Sequence, residues 1–424
     1  MASILLKNLT VSESQKDILI SGGLIRKIEP VGSCTGWDIA GDVEVMDCAR
    51  KRAVPGFVNM HTHAAMSLMR GVGEDMVFQD WLAEIWRIEK NLDADFVYWG
   101  TRVACLEMAR TGTTCLNDHY WFPNVGHKAA VDAGLRPVVS YIICDRMDPS
   151  EAERQKDQCE RMYEESLSWP DSSTFVVGCH AVYSVSGKML EWTRDFAAKH
   201  NLKLHIHLSE TYRELLDCQA AHGGLSPVEY LDELGMLNSD LIAAHTLWVS
   251  EHDIELLGRN HVNCVHNINS NLKISSGYKF KYSELRDAGA NVCIGTDGCA
   301  SSNNLDMLEA MKTSAILQKA WRGDPKAMPL DELLDCATVN GAKALGINAG
   351  RIEEGALADL AIVDTDNSFF LSPGSFLANL IYSAHSDCID SVICNGRFVM
   401  RSREVQGEKE ILEQAGKVIG KLAL

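Results

Sequence analysis

Between residues 54 and 295 the chain repeats one pattern eight times: a short apolar run, in most cases followed by a stretch of helical periodicity. The runs cover 54–59, 113–117, 136–143, 174–179, 203–207, 241–245, 262–266 and 292–295. Short apolar runs bounded in this way read as parallel strands buried on both faces. Strands that alternate with helices specify an α/β architecture, and eight of them fit a (β/α)8 barrel of the TIM type. An open doubly wound sheet is the competing arrangement, but it brings only a few strand ends to one crevice. Here five separate places along the repeat carry residues suited to metal or proton chemistry. A closed barrel gathers them all at one end.

Those places are His61-Thr62-His63, His180, His207-Leu208-Ser209-Glu210, His245 and Thr296-Asp297-Gly298. Taken singly, each has an ordinary explanation. A lone His-x-His is usually an unremarked surface or core pair, Asp-Gly favours turns, and a glutamate at a helix start suits the helix dipole. Their joint placement after apolar runs points instead to a metal site. Alternate residues of a strand share a face, so His61 and His63 point together. A hydrolytic zinc takes three or four N/O ligands and leaves one position for water. His61, His63, His207 and Asp297 supply that set, with Asp297 also placed to accept the proton of the attacking water. Glu210, three residues after His207, is expected to carry a proton to the substrate, and His245 to steady a developing oxyanion or orient the hydroxide. His205 shares the face of His207 and competes with it as a ligand; His207 is preferred because a carboxylate follows it. The run 174–180 offers no bridging lysine or carboxylate, so one metal ion is expected.

Downstream of His63 lies a dense apolar set that includes Met66, Met69, Trp81, Leu82, Ile85 and Trp86. It reads either as core packing or as a lid over substrate, with Trp81 a candidate contact. Glu89 follows, either a solvated helix carboxylate or an acceptor for a pair of sugar hydroxyls.

The flanks differ from the middle. Residues 1–54 and 352–424 carry short β-type runs with turn residues, among them Ser21-Gly22-Gly23 and the hairpin dipeptide Asn395-Gly396. They are expected to form one small discontinuous β-sandwich domain around a hydrolase barrel of residues 55–351. The first residues read as a strand and not as a signal peptide. A net charge of −18 with no basic run argues against a nucleic-acid partner, since such binding rests on Lys and Arg neutralising phosphates. No apolar run is long enough to span a membrane. The 14 cysteines are scattered and include no Cys-x-x-Cys pair, which reads as reduced thiols in a cytoplasmic protein. Self-association is compatible with this composition, and a small molecule is the expected partner.

Taken together, several motifs resemble the amidohydrolase superfamily. They are Pro55-Gly56-Phe57-Val58-Asn59-Met60-His61-Thr62-His63, Arg70-Gly71, His207-Leu208-Ser209-Glu210-Thr211, Ala244-His245, His266-Asn267 with Ser270-Asn271, Gly295-Thr296-Asp297-Gly298 and Ala337-Thr338-Val339-Asn340-Gly341-Ala342. Within that superfamily the likeness is to the deaminases of methylthioadenosine, S-adenosylhomocysteine and 5′-deoxyadenosine, and it spans nearly the whole chain. The resemblance implies one divalent metal per subunit, zinc before iron or manganese, on His61, His63, His207 and Asp297. It implies Glu210 as proton shuttle, His245 beside the attacked carbon, Glu89 on the ribose hydroxyls and His180 against the adenine ring. The implied reaction is attack at C6 with release of ammonia, giving an inosine derivative. Departures from the family pattern occur at Cys179-His180-Ala181-Val182-Tyr183, at Ile268 after His266-Asn267 and at Arg87 after Trp86. None removes a metal ligand; all bear on pocket shape. Arg146 is the candidate for an amino-acid tail at the 5′ position, and a small uncharged 5′ group is favoured. The alternative is an aminohydrolase or dechlorinase of a guanine-like or s-triazine ring, which would have no use for Glu89. The other zinc deaminase fold carries His-x-Glu and Pro-Cys-x-x-Cys, and neither occurs.

Overall fold

A computed structural model of the chain describes residues 3–37 and 42–420. One parallel sheet runs through the middle of the sequence. We number its strands β1 (Phe57–His63), β2 (Thr113–Asp118), β3 (Arg136–Ile143), β4 (Thr174–Ala181), β5 (Leu204–Leu208), β6 (Leu241–His245), β7 (Asn263–His266) and β8 (Asn291–Ile294, continued as Asp297–Gly298). Each strand pairs with the next in sequence. The last segment closes the ring. Its first half pairs with β7, while Asp297 and Gly298 pair with Thr62 and His63 of β1. Between the halves, Gly295 donates to His266 and Thr296 to His61, each at 3.1 Å. Val58, Cys115, Val138, Val176, Ile242, Val265 and Cys293, drawn from seven strands, pack in one cluster. Only the lumen of a closed barrel touches so many strands at once.

The apolar run that reads as one strand from residue 54 is two. Lys51–Pro55 belongs to the terminal sheet and Phe57–His63 to the barrel, with Gly56 between them. A Cβ on Gly56 would lie 2.3 Å from Thr114, so glycine is required where the chain crosses from one sheet to the other. The terminal sheet takes strands from both ends of the chain. Lys51–Pro55 lies between Ser3–Val11 and Leu360–Asp364, and the sheet encloses its own core of Ile4, Leu6, Leu9, Ile18, Ile20, Leu360 and Ile362. Asn395 and Gly396 have φ of 49° and 72°, the left-handed pair that a two-residue hairpin needs between Ile389–Cys394 and Arg397–Met400. Met1 and Ala2, read above as the start of the first strand, lie outside the described residues.

Two helices shape the barrel mouth. We call them α1 (Phe78–Glu89) and α2 (Ala94–Arg110). The apolar face of α1 buries Trp81, Ile85 and Ile88, and Asp93 caps α2 by accepting from Phe96 N. Helix Glu408–Ile419 returns to this side, where Ala415 and Val418 join the cluster containing Trp81, Phe96 and Val97. All 14 cysteines are free thiols, and all but Cys34 are buried. No helix among the described residues is long and apolar enough to cross a membrane.

Candidate metal centre and active site

Ring closure by β8 is what brings Asp297 to the two histidines of β1. At φ 60° its backbone is left-handed, and its Oδ1 lies 3.3 Å from His61 Nε2 and 3.1 Å from His63 Nε2. The other oxygen, Oδ2, accepts from Ser270 at 2.6 Å and Ser301 at 3.1 Å, which fixes the carboxylate's rotation. His207 enters from β5 with its Nε2 3.3 Å from His63 Nε2. The Nδ1 atoms of these histidines point away from this meeting point. That of His63 donates to the carbonyl of His119, and that of His207 donates to the carbonyl of His180 at 2.7 Å. That of His61 faces His205 Nε2 at 2.9 Å. His205, the competing ligand, therefore spends its Nε2 behind His61.

The donor set fits a divalent cation on an observation independent of any likeness. His61 Nε2 is fully buried and makes no hydrogen bond among the described residues, an arrangement that is costly unless another group supplies a partner. One donor atom from each of His61, His63 and Asp297 lies within 4.8 Å of the others, and the same holds for His61, His207 and His245. Imidazole nitrogens with one carboxylate match the preference of zinc and similar ions.

Glu210 stands in the turn between β5 and helix Tyr212–Ala221. Its backbone N–H and that of Ser209 both donate to the Glu214 carboxylate, at 2.8 and 2.9 Å, so the turn is held from beneath. His245 follows at the end of β6 with φ 78°, its Nε2 3.8 Å from Glu210 Oε2. Asn271 donates to His245 Nδ1 at 2.9 Å. Burial, together with the charges of Asp297 and Glu214, pushes the Glu210 carboxyl well above the usual range. Burial also works against ionisation of Asp297, but the His61 and His63 imidazoles facing it outweigh that and hold the carboxyl well below. Two carboxyls of one pocket are thus driven apart, one toward an acid and one toward a base. Burial keeps the His245 imidazole neutral, pushed down to about 3.

Around this cluster the pocket is walled by aromatic and apolar side chains. Trp81, Ile85 and Trp86 of α1 face Tyr120, Trp121, Ile142 and Tyr183, and His180 stands beside His207. Trp81 also donates to the carbonyl of Ala300 at 3.3 Å, which pins α1 over the site. Glu89 closes α1 and lines the same pocket beside Tyr120 and Trp121, where burial raises its carboxyl above the usual range. His180 Nδ1 pairs with Ser184 Oγ at 2.7 Å. The structure therefore brings His61, His63, Glu89, His180, His207, Glu210, His245, Asp297 and Trp81 together. Arg146 is the exception. It lies outside the metal pocket, its guanidinium 4.6 Å over the Trp86 ring, and lines an adjoining cavity with Tyr141, Arg154, Gln158 and Arg161.

Sequence reasoning missed His119, Tyr120 and Trp121, which extend from the end of β2 into the pocket. The available signal was their place directly after the run 113–117, at a strand end like the other site residues. It also missed Ser301, which aims Asp297.

Residues 52–399 match the amidohydrolase family. The chain belongs to that family. Among relatives of this amidohydrolase, the 5′-deoxyadenosine deaminase of Methanoregula boonei is 42% identical over 423 residues, covering 99% of this chain and 95% of its own. The 5-methylthioadenosine/S-adenosylhomocysteine deaminase 1 of Archaeoglobus fulgidus is 38% identical and is covered, like this chain, over 99% of its length. Among solved structures, an adenosine deaminase from Xanthomonas campestris with bound zinc superposes with a TM-score of 0.91 at 30% identity, over 99% of this chain and 98% of that one. An atrazine chlorohydrolase from Arthrobacter aurescens superposes at 0.89 and 23% identity, over 98% of this amidohydrolase and all of its own chain; it shares the fold.

Proposed function

We propose that this amidohydrolase is a hydrolytic deaminase of adenosine derivatives, converting the 6-amino purine to the 6-oxo purine with release of ammonia. His61, His63, His207 and Asp297 are assigned to one divalent ion per subunit, zinc by the donor set. A zinc ion held there supplies the Lewis acidity that makes water a nucleophile at neutral pH.

The chain's own groups account for the remaining steps. Asp297, held ionised, takes a proton from the attacking water. Glu210, held protonated, delivers its proton to the ring nitrogen next to C6, which leaves that carbon electron-poor. Water oxygen bonds to C6 and makes it tetrahedral. Asp297 then returns its proton to the amino group, the new hydroxyl gives its proton to Glu210 as the C6=O forms, and the C6–N bond breaks to release ammonia. His245 is neutral, and its Nδ1 accepts from Asn271, so its proton sits on Nε2, toward Glu210 and the reacting carbon. That N–H steadies the oxygen as charge develops on it.

The observation that carries the reading is Glu89. A third carboxyl, half-buried and lining the same aromatic-walled pocket as the metal donors, suits two vicinal hydroxyls and has no task on a bare triazine or guanine ring. Substrate then lies with its base between His180 and Glu210 and its ribose toward Glu89. The 5′ group points to Trp86 and the cavity of Arg146. Because Arg146 stands outside the metal pocket, a small uncharged 5′ substituent needs nothing from it, whereas an amino-acid tail would.

Ammonia release by the zinc-loaded protein tests this across adenosine, 5′-deoxyadenosine, methylthioadenosine, S-adenosylhomocysteine, guanine and a chlorotriazine. Turnover is expected on the adenosine compounds, led by 5′-deoxyadenosine or methylthioadenosine. Turnover confined to guanine or the triazine would overturn the proposal. Glu89→Ala should raise KM for ribosides at least about tenfold, the loss of roughly one charge-assisted hydrogen bond, and spare the free base adenine. An equal effect on both would remove Glu89 from the sugar site.

A further inference from the structure

The three histidines assigned to the metal differ in what holds their far nitrogen. His63 and His207 each use a backbone carbonyl, that of His119 and that of His180. His61 uses a side chain: its Nδ1 lies 2.9 Å from His205 Nε2, and His205 Nδ1 lies 3.3 Å from Ser140 Oγ. All three residues are buried, at 0%, 1% and 0% exposure. We infer that His205 is a positioning residue for the metal centre, the middle of a His61–His205–Ser140 relay that fixes the tautomer and orientation of His61. The inference rests on the metal site proposed above.

Directions along the relay follow from valence. If His61 offers the lone pair of Nε2 to a cation, its proton must sit on Nδ1. That N–H donates to His205 Nε2, which leaves the proton of His205 on Nδ1 and pointed at Ser140 Oγ. One tautomer of each ring satisfies every step. A second histidine, His119, flanks His205 with ring centroids 4.5 Å apart, but among the described residues neither of its ring nitrogens is hydrogen-bonded, to His61 or to any other group. Room for it exists because β4 carries Gly178 there; a Cβ would lie 2.7 Å from His119 Cε1. His205 is thus confined by β2, β3 and β4, and the ring it orients is the most deeply buried of the metal-assigned set.

Partners in this position tune ligand basicity, and their loss commonly weakens metal affinity by about 10- to 100-fold. The test is metal binding itself, read separately from turnover. Zinc affinity is measured on the full-length protein by competition with a chromogenic chelator, and the cobalt-loaded protein gives a visible absorption spectrum that reports ligand geometry. His205→Phe keeps a planar ring without an acceptor and should weaken zinc binding by about 10- to 100-fold and shift the cobalt spectrum. His205→Gln, whose carbonyl can accept from His61, should recover most of the affinity. A folded His205→Phe protein with native affinity and spectrum would overturn the relay. Should that variant fail to fold, Ser140→Ala decides: affinity weakened by about threefold or more supports the relay, and unchanged affinity overturns it. Wild-type protein that takes up neither ion would overturn the metal centre as well, a result distinct from native affinity in the variants.

Discussion

Glu210 and Asp297 are both carboxyls in one dry pocket, yet their surroundings give them opposite proton habits. Asp297 faces two imidazoles and accepts from two hydroxyls, whereas the Glu210 carboxyl has His245 at 3.8 Å and the charges of Asp297 and Glu214 nearby. The chain arranges this by placing Asp297 where β8 meets β1 and Glu210 on a turn that Glu214 supports from below. Glu210→Gln keeps the shape of the side chain and removes the transferable proton. It should leave metal content unchanged and lower kcat by about 10²- to 10⁴-fold, the range of general acid–base catalysis. Metal content by atomic absorption, taken beside kcat, checks both halves. A variant with near-normal kcat would remove Glu210 from proton transfer.

At the scale of an element, the helix Pro123–Asp132 shows how a histidine can be structural. His127 stacks on Trp169 with ring centroids 3.7 Å apart and pairs through Nε2 with Ser173 Oγ at 2.9 Å, tying the helix to the segment that leads into β4. Burial pushes its pKa down from 6.5 to about 4. In the unfolded chain the imidazole binds a proton near pH 6.5; in the folded one it resists until about pH 4. Its contribution to stability is therefore complete above pH 6.5 and is lost as pH falls toward 4, by about 1.4 kcal/mol for each pH unit between those two values. His127→Phe, which retains the stack, should flatten the acid side of the stability profile. Urea midpoints of the two proteins between pH 7.5 and 4.5 provide the measurement, and parallel profiles would show that His127 does not titrate with unfolding.

For the whole molecule, the junction of interest is between the barrel and the terminal sheet. Arg136, which opens β3, pairs with Asp359, which precedes the terminal strand Leu360–Asp364, at 2.9 and 3.3 Å with both side chains almost wholly buried. Asp359 also accepts from Asn395 N at the hairpin turn, and its carbonyl accepts from Gly56 N at the crossing into β1. One ion pair therefore ties together the barrel, the hairpin and the crossing. Arg136→Met leaves a buried carboxylate unpaired and should cost about 3–5 kcal/mol of stability. Calorimetry should show the loss as a lower Tm for a single transition. A loss below about 1 kcal/mol would mean that solvent reaches Asp359 and repays the missing partner.

Much of this was legible in the residues themselves. Apolar runs separated by helical stretches specify parallel strands, and alternation along a strand puts His61 and His63 on one face whatever the rest of the chain does. The pair Asn395-Gly396 dictates its hairpin because both positions must be left-handed. The sequence by itself thus determined the kind of fold, the residue types at the strand ends and the chemistry they can perform. It could not separate Lys51–Pro55 from Phe57–His63, because an apolar run carries no mark of which sheet each half will join. Nor could it place Arg146 outside the metal pocket, or enlist His119, Tyr120 and Trp121, since these depend on how neighbouring strands and α1 converge. The division of labour between His205 and His207 is of the same kind. Two residues apart on one strand, they have the same period and the same chemistry, and only the closed barrel decides that one faces the Nε2 of His63 and the other the Nδ1 of His61. Local pattern is set by chain geometry, but distances between strands are set by ring closure.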